Sequence, residues 1–64
     1  MITNRIKELR EQKGLTQQQL SEAVNVSRQT IIAMEKGNYE PSLGLAMQLA
    51  KYFKVKVEEI FVLK

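Results

Sequence analysis

The stretch Thr16-Gln17-Gln18-Gln19-Leu20-Ser21-Glu22-Ala23-Val24-Asn25-Val26-Ser27-Arg28-Gln29-Thr30-Ile31 decides the fold. It reads as two short helices joined by a three-residue turn. Thr16 and Gln19 have the spacing of a capping box, in which a hydroxyl accepts the N–H three residues on and the Gln reaches back. Leu20, Ala23 and Val24 supply the apolar residues of that helix. Asn25 tolerates the left-handed backbone that a sharp reversal needs. Val26 is a short apolar plug, and Ser27 caps the next helix. Ser21 and Ala23 are small, so the two helices can approach closely.

Working outward, Asn4 to Lys13 reads as a first helix. Thr3 or Asn4 caps it, Ile6 and Leu9 share one face, and Gly14 stops it in the left-handed region. The helix after Ser27 runs to about Lys36, turns Ile31 and Met34 inward and ends at Gly37. Asn38 to Pro41 is a loop. Ser42 caps a fourth helix whose buried face is Leu43, Ala46, Leu49, Ala50 and Phe53, at 3.6-residue spacing. A short fifth helix covers Val57–Phe61. Phe61-Val62-Leu63 has β-type composition, and Met1-Ile2-Thr3 can pair with it. The expected fold is therefore all-α: one compact five-helix domain over residues 1–64, with a short terminal two-stranded β-ribbon.

Composition narrows the function. A chain of 64 residues buries only about 60% of the surface its unfolded form exposes, so it needs a staple. There is no Cys and no His, which excludes a disulfide and the usual zinc ligands. A partner subunit is the staple that remains. The same absences remove the commonest acid–base group and the best thiol nucleophile. Asp is missing too, and the chain is too short to enclose a pocket of about 300–1,000 Å³. These points argue against an enzyme, and no catalytic residue, metal site or cofactor is expected. No apolar run is long enough for a membrane span, and no signal-peptide core follows Met1, so the expected compartment is the cytoplasm. The formal charge of +3 permits an anionic partner without requiring one.

The two-helix unit is a helix-turn-helix arrangement, which in DNA readers lays its second helix in the major groove. That helix opens with Ser27-Arg28-Gln29-Thr30. A helix N-terminus offers free N–H groups and a positive dipole to a phosphate. Arg can bond guanine and Gln adenine bidentately, each pairing worth about 1–3 kcal/mol of discrimination. Gln17 opens the preceding helix, where it can bond a phosphate and buttress the third helix. An Arg-Gln pair alone would be read as solvated surface; joined to the turn it points to DNA.

The runs Leu15-Thr16-Gln17-Gln18-Gln19-Leu20, Val26-Ser27-Arg28-Gln29-Thr30-Ile31, Glu35-Lys36-Gly37 and Pro41-Ser42-Leu43 together resemble the phage-repressor (Cro/cI, XRE) class of helix-turn-helix transcriptional regulators. Val55-Lys56-Val57-Glu58-Glu59-Ile60-Phe61 is similar to that family's last helix. The chain's size, its Met1-Ile2 start and Pro41-Ser42-Leu43-Gly44-Leu45-Ala46 look most like a small dimeric repressor of the class. The resemblance implies a transcriptional regulator, in the simplest case a repressor, binding a palindromic double-stranded DNA operator as a homodimer. It implies Arg28 and Gln29 in the major groove, Ser27, Thr30 and Gln17 at the backbone or groove edge, and Lys36, Asn38 and Tyr39 against phosphates. It also implies that Arg10 and Glu35 form a structural pair. Three positions depart from the pattern. Ile32 replaces a polar residue, where it either contacts a thymine methyl, the preferred role, or packs at the core edge. Asn25 replaces Gly, and Lys56 replaces a capping Ser or Thr, which leaves the last helix prone to fray. The surplus apolar residues near the C-terminus, Val55, Val57, Ile60, Phe61, Val62 and Leu63, either close the monomer core or form a two-fold interface, for which Val57, Ile60 and Phe61 are favoured, with Leu45 as an outlier. No second domain for a small-molecule effector is evident. The alternative is a protein-interaction module, antitoxin-like or adaptor, on the same fold.

Overall fold

The computed structural model describes residues 2–64. In chain order the elements are β1 (Ile2–Asn4), α1 (Ile6–Gln12), α2 (Gln17–Ala23), α3 (Arg28–Glu35), α4 (Leu43–Phe53), α5 (Val57–Ile60) and β2 (Phe61–Leu63). This is the expected five-helix domain with a terminal ribbon. The ribbon is antiparallel, with Ile2 opposite Leu63, Thr3 opposite Val62 and Asn4 opposite Phe61. Its expected first residue, Met1, lies outside the described residues.

The helix ends follow from short polar side chains and left-handed residues. Thr16 Oγ1 accepts the Gln19 N–H at 3.0 Å and Gln19 Oε1 accepts the Thr16 N–H at 2.9 Å, a complete capping box. Ser27 caps α3 by accepting the Thr30 N–H, and Ser42 caps α4 by accepting the Leu45 N–H. Asn25 makes the turn between α2 and α3 at φ +59°, where an asparagine is tolerated. Helix α4 ends instead on Lys54, also at φ +59°, a position that glycine usually takes.

Four expectations need correction. Helix α1 begins at Ile6 rather than Asn4, because Asn4 belongs to β1. Asn4 still serves the helix: its Oδ1 accepts the Ile6 N–H at 3.1 Å, while Thr3 plays no capping part. Helix α5 stops at Ile60, since Phe61 has already turned into the extended backbone of β2. In α4 the buried leucine at the first turn is Leu45, and Leu43 is 75% exposed. Finally, Lys56 leaves α5 better anchored than expected, because Glu59 Oε2 accepts the Lys56 N–H at 2.6 Å. That is half of a capping box supplied from the third helical residue.

The core is assembled from every helix. Ile6, Leu20, Ile31, Met34, Leu49 and Ile60 are fully buried, with Val24, Leu45, Ala50 and Phe53 around them. Burying one such Leu or Ile side chain stabilises by about 1.5–3 kcal/mol. Val26 packs against this cluster, as a plug in the turn should. Ser21 is buried where α2 meets α3, and its hydroxyl donates to the Gln18 carbonyl at 2.7 Å. It is therefore Ser21, not the exposed Ala23, that serves as the small residue of the crossing.

Candidate nucleic-acid interface

Helix α3 has two faces. Ile31 and Met34 are fully buried on one. Arg28, Gln29 and Lys36 are exposed on the other, and Ile32 and Ala33 are half-buried between them. Residues three and four apart share a helix face, so Arg28, Gln29, Ile32 and Lys36 form one outward stripe. The apolar anchors cannot leave the core without a large penalty, so the exposed stripe is held on a fixed rod.

The tip of that rod is polar. Ser27 Oγ and Thr30 Oγ1 lie 2.9 Å apart, and Ser27 Oγ also accepts the Thr30 N–H at 3.1 Å. Arg28 enters no ion pair among the described residues. Arg28 and Gln29 thus project from the first turn of α3, beside N–H groups that have no helical acceptor.

A buried ionic network fixes the angle between α1, α2 and α3. Arg10 Nε donates to Glu35 Oε2 at 2.7 Å, Arg10 Nη2 to Glu35 Oε1 at 3.3 Å and Arg10 Nη1 to the Leu15 carbonyl at 2.8 Å. Their side chains are only 11% and 5% exposed. The hydrogen bond to Glu35 raises the Arg10 guanidinium above its already high value, and burial opposes this. Gln17 joins the network: its Nε2 donates to Glu35 Oε1 at 3.1 Å. One amide N–H of Gln17 remains for another acceptor. Glu35 therefore holds the first residue of α2 and the end of α1 from the last residue of α3.

The residues after α3 lie near these groups. Gly37 turns the chain at φ +81°, and Lys36 before it and Asn38 and Tyr39 beyond it are exposed. Asn4 clasps the same region, donating from Nδ2 to the Met34 carbonyl at 2.8 Å. The sequence carries no signal for this tie between the ribbon and α3; an Asn next to a helix start signals a cap, not a long-range bond.

The expected dimer residues divide. Ile60 is fully buried and Leu45 is 8% exposed, so both close the monomer core and have almost no surface left to bury. Val57 and Phe61 are half-buried and pack on the core edge. Among the described residues, the large apolar side chains that do face outward are Tyr39, Leu43, Met47, Val62 and Leu63. Sequence spacing alone could have flagged Leu43 and Met47, which lie one helical turn apart.

Among the described residues no group of three or more His, Cys, Asp or Glu could hold a metal, and no helix is long and apolar enough to cross a membrane.

Comparison with known proteins agrees with this geometry. A helix-turn-helix family model matches residues 6–60. An uncharacterised HTH-type transcriptional regulator of Methanocaldococcus jannaschii is 54% identical over 61 residues, covering 95% of this chain and 92% of the relative. The phage CTXphi transcriptional repressor RstR of Vibrio cholerae is 32% identical over 60 residues, covering 94% of this chain and 54% of the repressor. Among solved structures, the restriction-modification controller protein C.AhdI of Aeromonas hydrophila superposes with a TM-score of 0.78 at 31% identity, covering 86% of this chain and 83% of that protein. The chain belongs to the helix-turn-helix family of the XRE type, a family of DNA-binding transcriptional regulators and not of enzymes.

Proposed function

We propose that this protein is a sequence-specific regulator that binds a palindromic DNA operator as a homodimer and represses by occluding a promoter. The observation that carries this is the tip of α3: Arg28 and Gln29 stand exposed on a helix whose opposite face, Ile31 and Met34, is locked in the core. Arg28 and Gln29 then read base edges in the major groove. Ser27, Thr30 and Gln17 meet the backbone at the groove edge, and Lys36, Asn38 and Tyr39 meet phosphates alongside. Ile32, half-buried on the same stripe, offers its outer methyl to a thymine methyl.

A dimer follows from the outward apolar side chains. Leu43 and Met47 on α4, with Val57, Phe61, Val62 and Leu63 at the C-terminal end, are the surface to be covered. A molecule of 28 × 23 × 20 Å is small enough for two touching copies to set their α3 tips about one DNA turn, ~34 Å, apart. A DNA reader works where the DNA is, which places the chain in the cytoplasm.

Selection of bound sequences from a random duplex pool tests the proposal. The expected product is an enriched, two-fold symmetric site. A pool that shows no enrichment, with a stoichiometric protein partner recovered instead, would establish the protein-interaction module.

A further inference from the structure

We propose that the groove between the C-terminal ends of α1, α2 and α4 binds a small organic anion with an apolar body. The groove has a volume of about 570 Å³. Its apolar lining comes from Ala23 and Tyr52 with the edge of Val24, and its rim carries Lys13, Lys51 and Lys54. No carboxylate lines it. Neither ion pair among the described residues, Arg5–Glu8 or Arg10–Glu35, uses any of these lysines. Lys13 Nζ sits over the Tyr52 ring, 5.5 Å from the centroid, so a cation stands beside the aromatic part of the lining.

Lysines at helix C-termini also offset the helix dipole, and that explains one cation at each end. It does not explain why cations from two different helices converge on one apolar groove. Lys54 is informative here. It occupies a left-handed position at φ +59°, where glycine would relieve backbone strain. A lysine there gives up stability and places an ammonium on the rim.

Size chooses the occupant. Eight residues line the groove, whereas a stable protein interface engages about 20–30 residues a side. The groove is an open depression rather than an enclosed pocket, so an occupant lies against one face of it. Positive charge on the rim and an apolar lining call for an amphipathic anion. Asn25 also lines the groove, so an occupant touches the turn that sets α3. The inference does not rest on the DNA proposal, since a chain that bound no duplex would still bind the anion.

The test is an amide-shift titration of the full chain with 8-anilinonaphthalene-1-sulfonate. The neutral analogue N-phenyl-1-naphthylamine and inorganic sulfate are run beside it. Expected are shifts at Val24, Asn25, Tyr52 and Lys54, with both comparison probes at least about tenfold weaker. The triple variant Lys13→Gln, Lys51→Gln, Lys54→Gln should lose at least about tenfold in affinity for the sulfonate. Lys54→Gly, which removes a rim charge while easing the backbone, should lose about threefold with no loss of thermal stability, and it decides the matter if the triple variant does not fold. Shifts centred on Leu43, Met47 and Leu63, equal binding of the neutral analogue or of sulfate, or unchanged affinity in the folded variants would overturn the proposal.

Discussion

Arg10 and Glu35 meet at 2.7 Å in the interior of the domain, joining the first helix to the last residue of the helix that carries Arg28. Because Glu35 also accepts from Gln17, one carboxylate sets the relative placement of three helices. Such a pair contributes little net stability over an apolar replacement, but breaking it strands a charge.

Glu35→Gln is therefore expected to destabilise the domain by about 3–5 kcal/mol, a large share of what a chain this small possesses. The double substitution Arg10→Met, Glu35→Leu should recover most of that loss. Urea denaturation of the single and double variants measures both values.

Arg28→Ala and Gln29→Ala should each remove about 1–3 kcal/mol of discrimination between the selected site and a mismatched one. Thermal stability should stay within about 0.5 kcal/mol of the parent, because both residues are exposed surface. Fluorescence anisotropy on matched and mismatched duplexes gives the first quantity and thermal melting the second. Lys36→Ala should instead weaken binding to all sequences alike and reduce its salt dependence by about one phosphate contact.

Leu45→Ala should cost about 2–5 kcal/mol, as a buried leucine truncation does. Leu43→Ala should leave monomer stability nearly unchanged, and Leu43→Glu should shift the monomer–dimer equilibrium toward monomer. Sedimentation equilibrium across a concentration series, set beside melting curves, distinguishes the two leucines.

Glu8 gives a pH signature. The hydrogen bond and charge of Arg5 hold its carboxyl below the usual range. Its contribution to stability is thus complete above the ordinary carboxylate pKa and is lost as pH falls through the lower folded value. Both side chains are about half exposed, so the effect is small. Melting temperatures of the parent and Glu8→Gln should converge at low pH and diverge as pH rises past the carboxylate range.

The sequence made the helix-turn-helix legible because local chemistry dictated each of its parts: the box at Thr16 and Gln19, the left-handed Asn25, the cap at Ser27. All act within four residues, where one chain suffices to specify geometry. Leu43 and Leu45 show where that stops. Leu43 lies three residues before Ala46, and Leu45 four before Leu49, so both spacings extend the same apolar stripe. Which one is buried depends on what lies opposite the first turn of α4, and that is a tertiary fact. Ile60, fully buried, makes the related point that a surplus of apolar residues near one end does not say which of them the core consumes. The Asn4–Met34 bond spans 30 positions and has no local signal at all. The lysine groove likewise gathers residues from three helices that are scattered along the chain.

Asn4 has one last consequence. Its side chain grips the backbone of α3 at Met34 and the first N–H of α1, while its main chain stays paired to Phe61. Fraying of the terminal ribbon is thereby transmitted to α3. Hydrogen exchange should register this as shared protection, with amides late in α3 opening together with those of β2, and Asn4→Ala should uncouple the two.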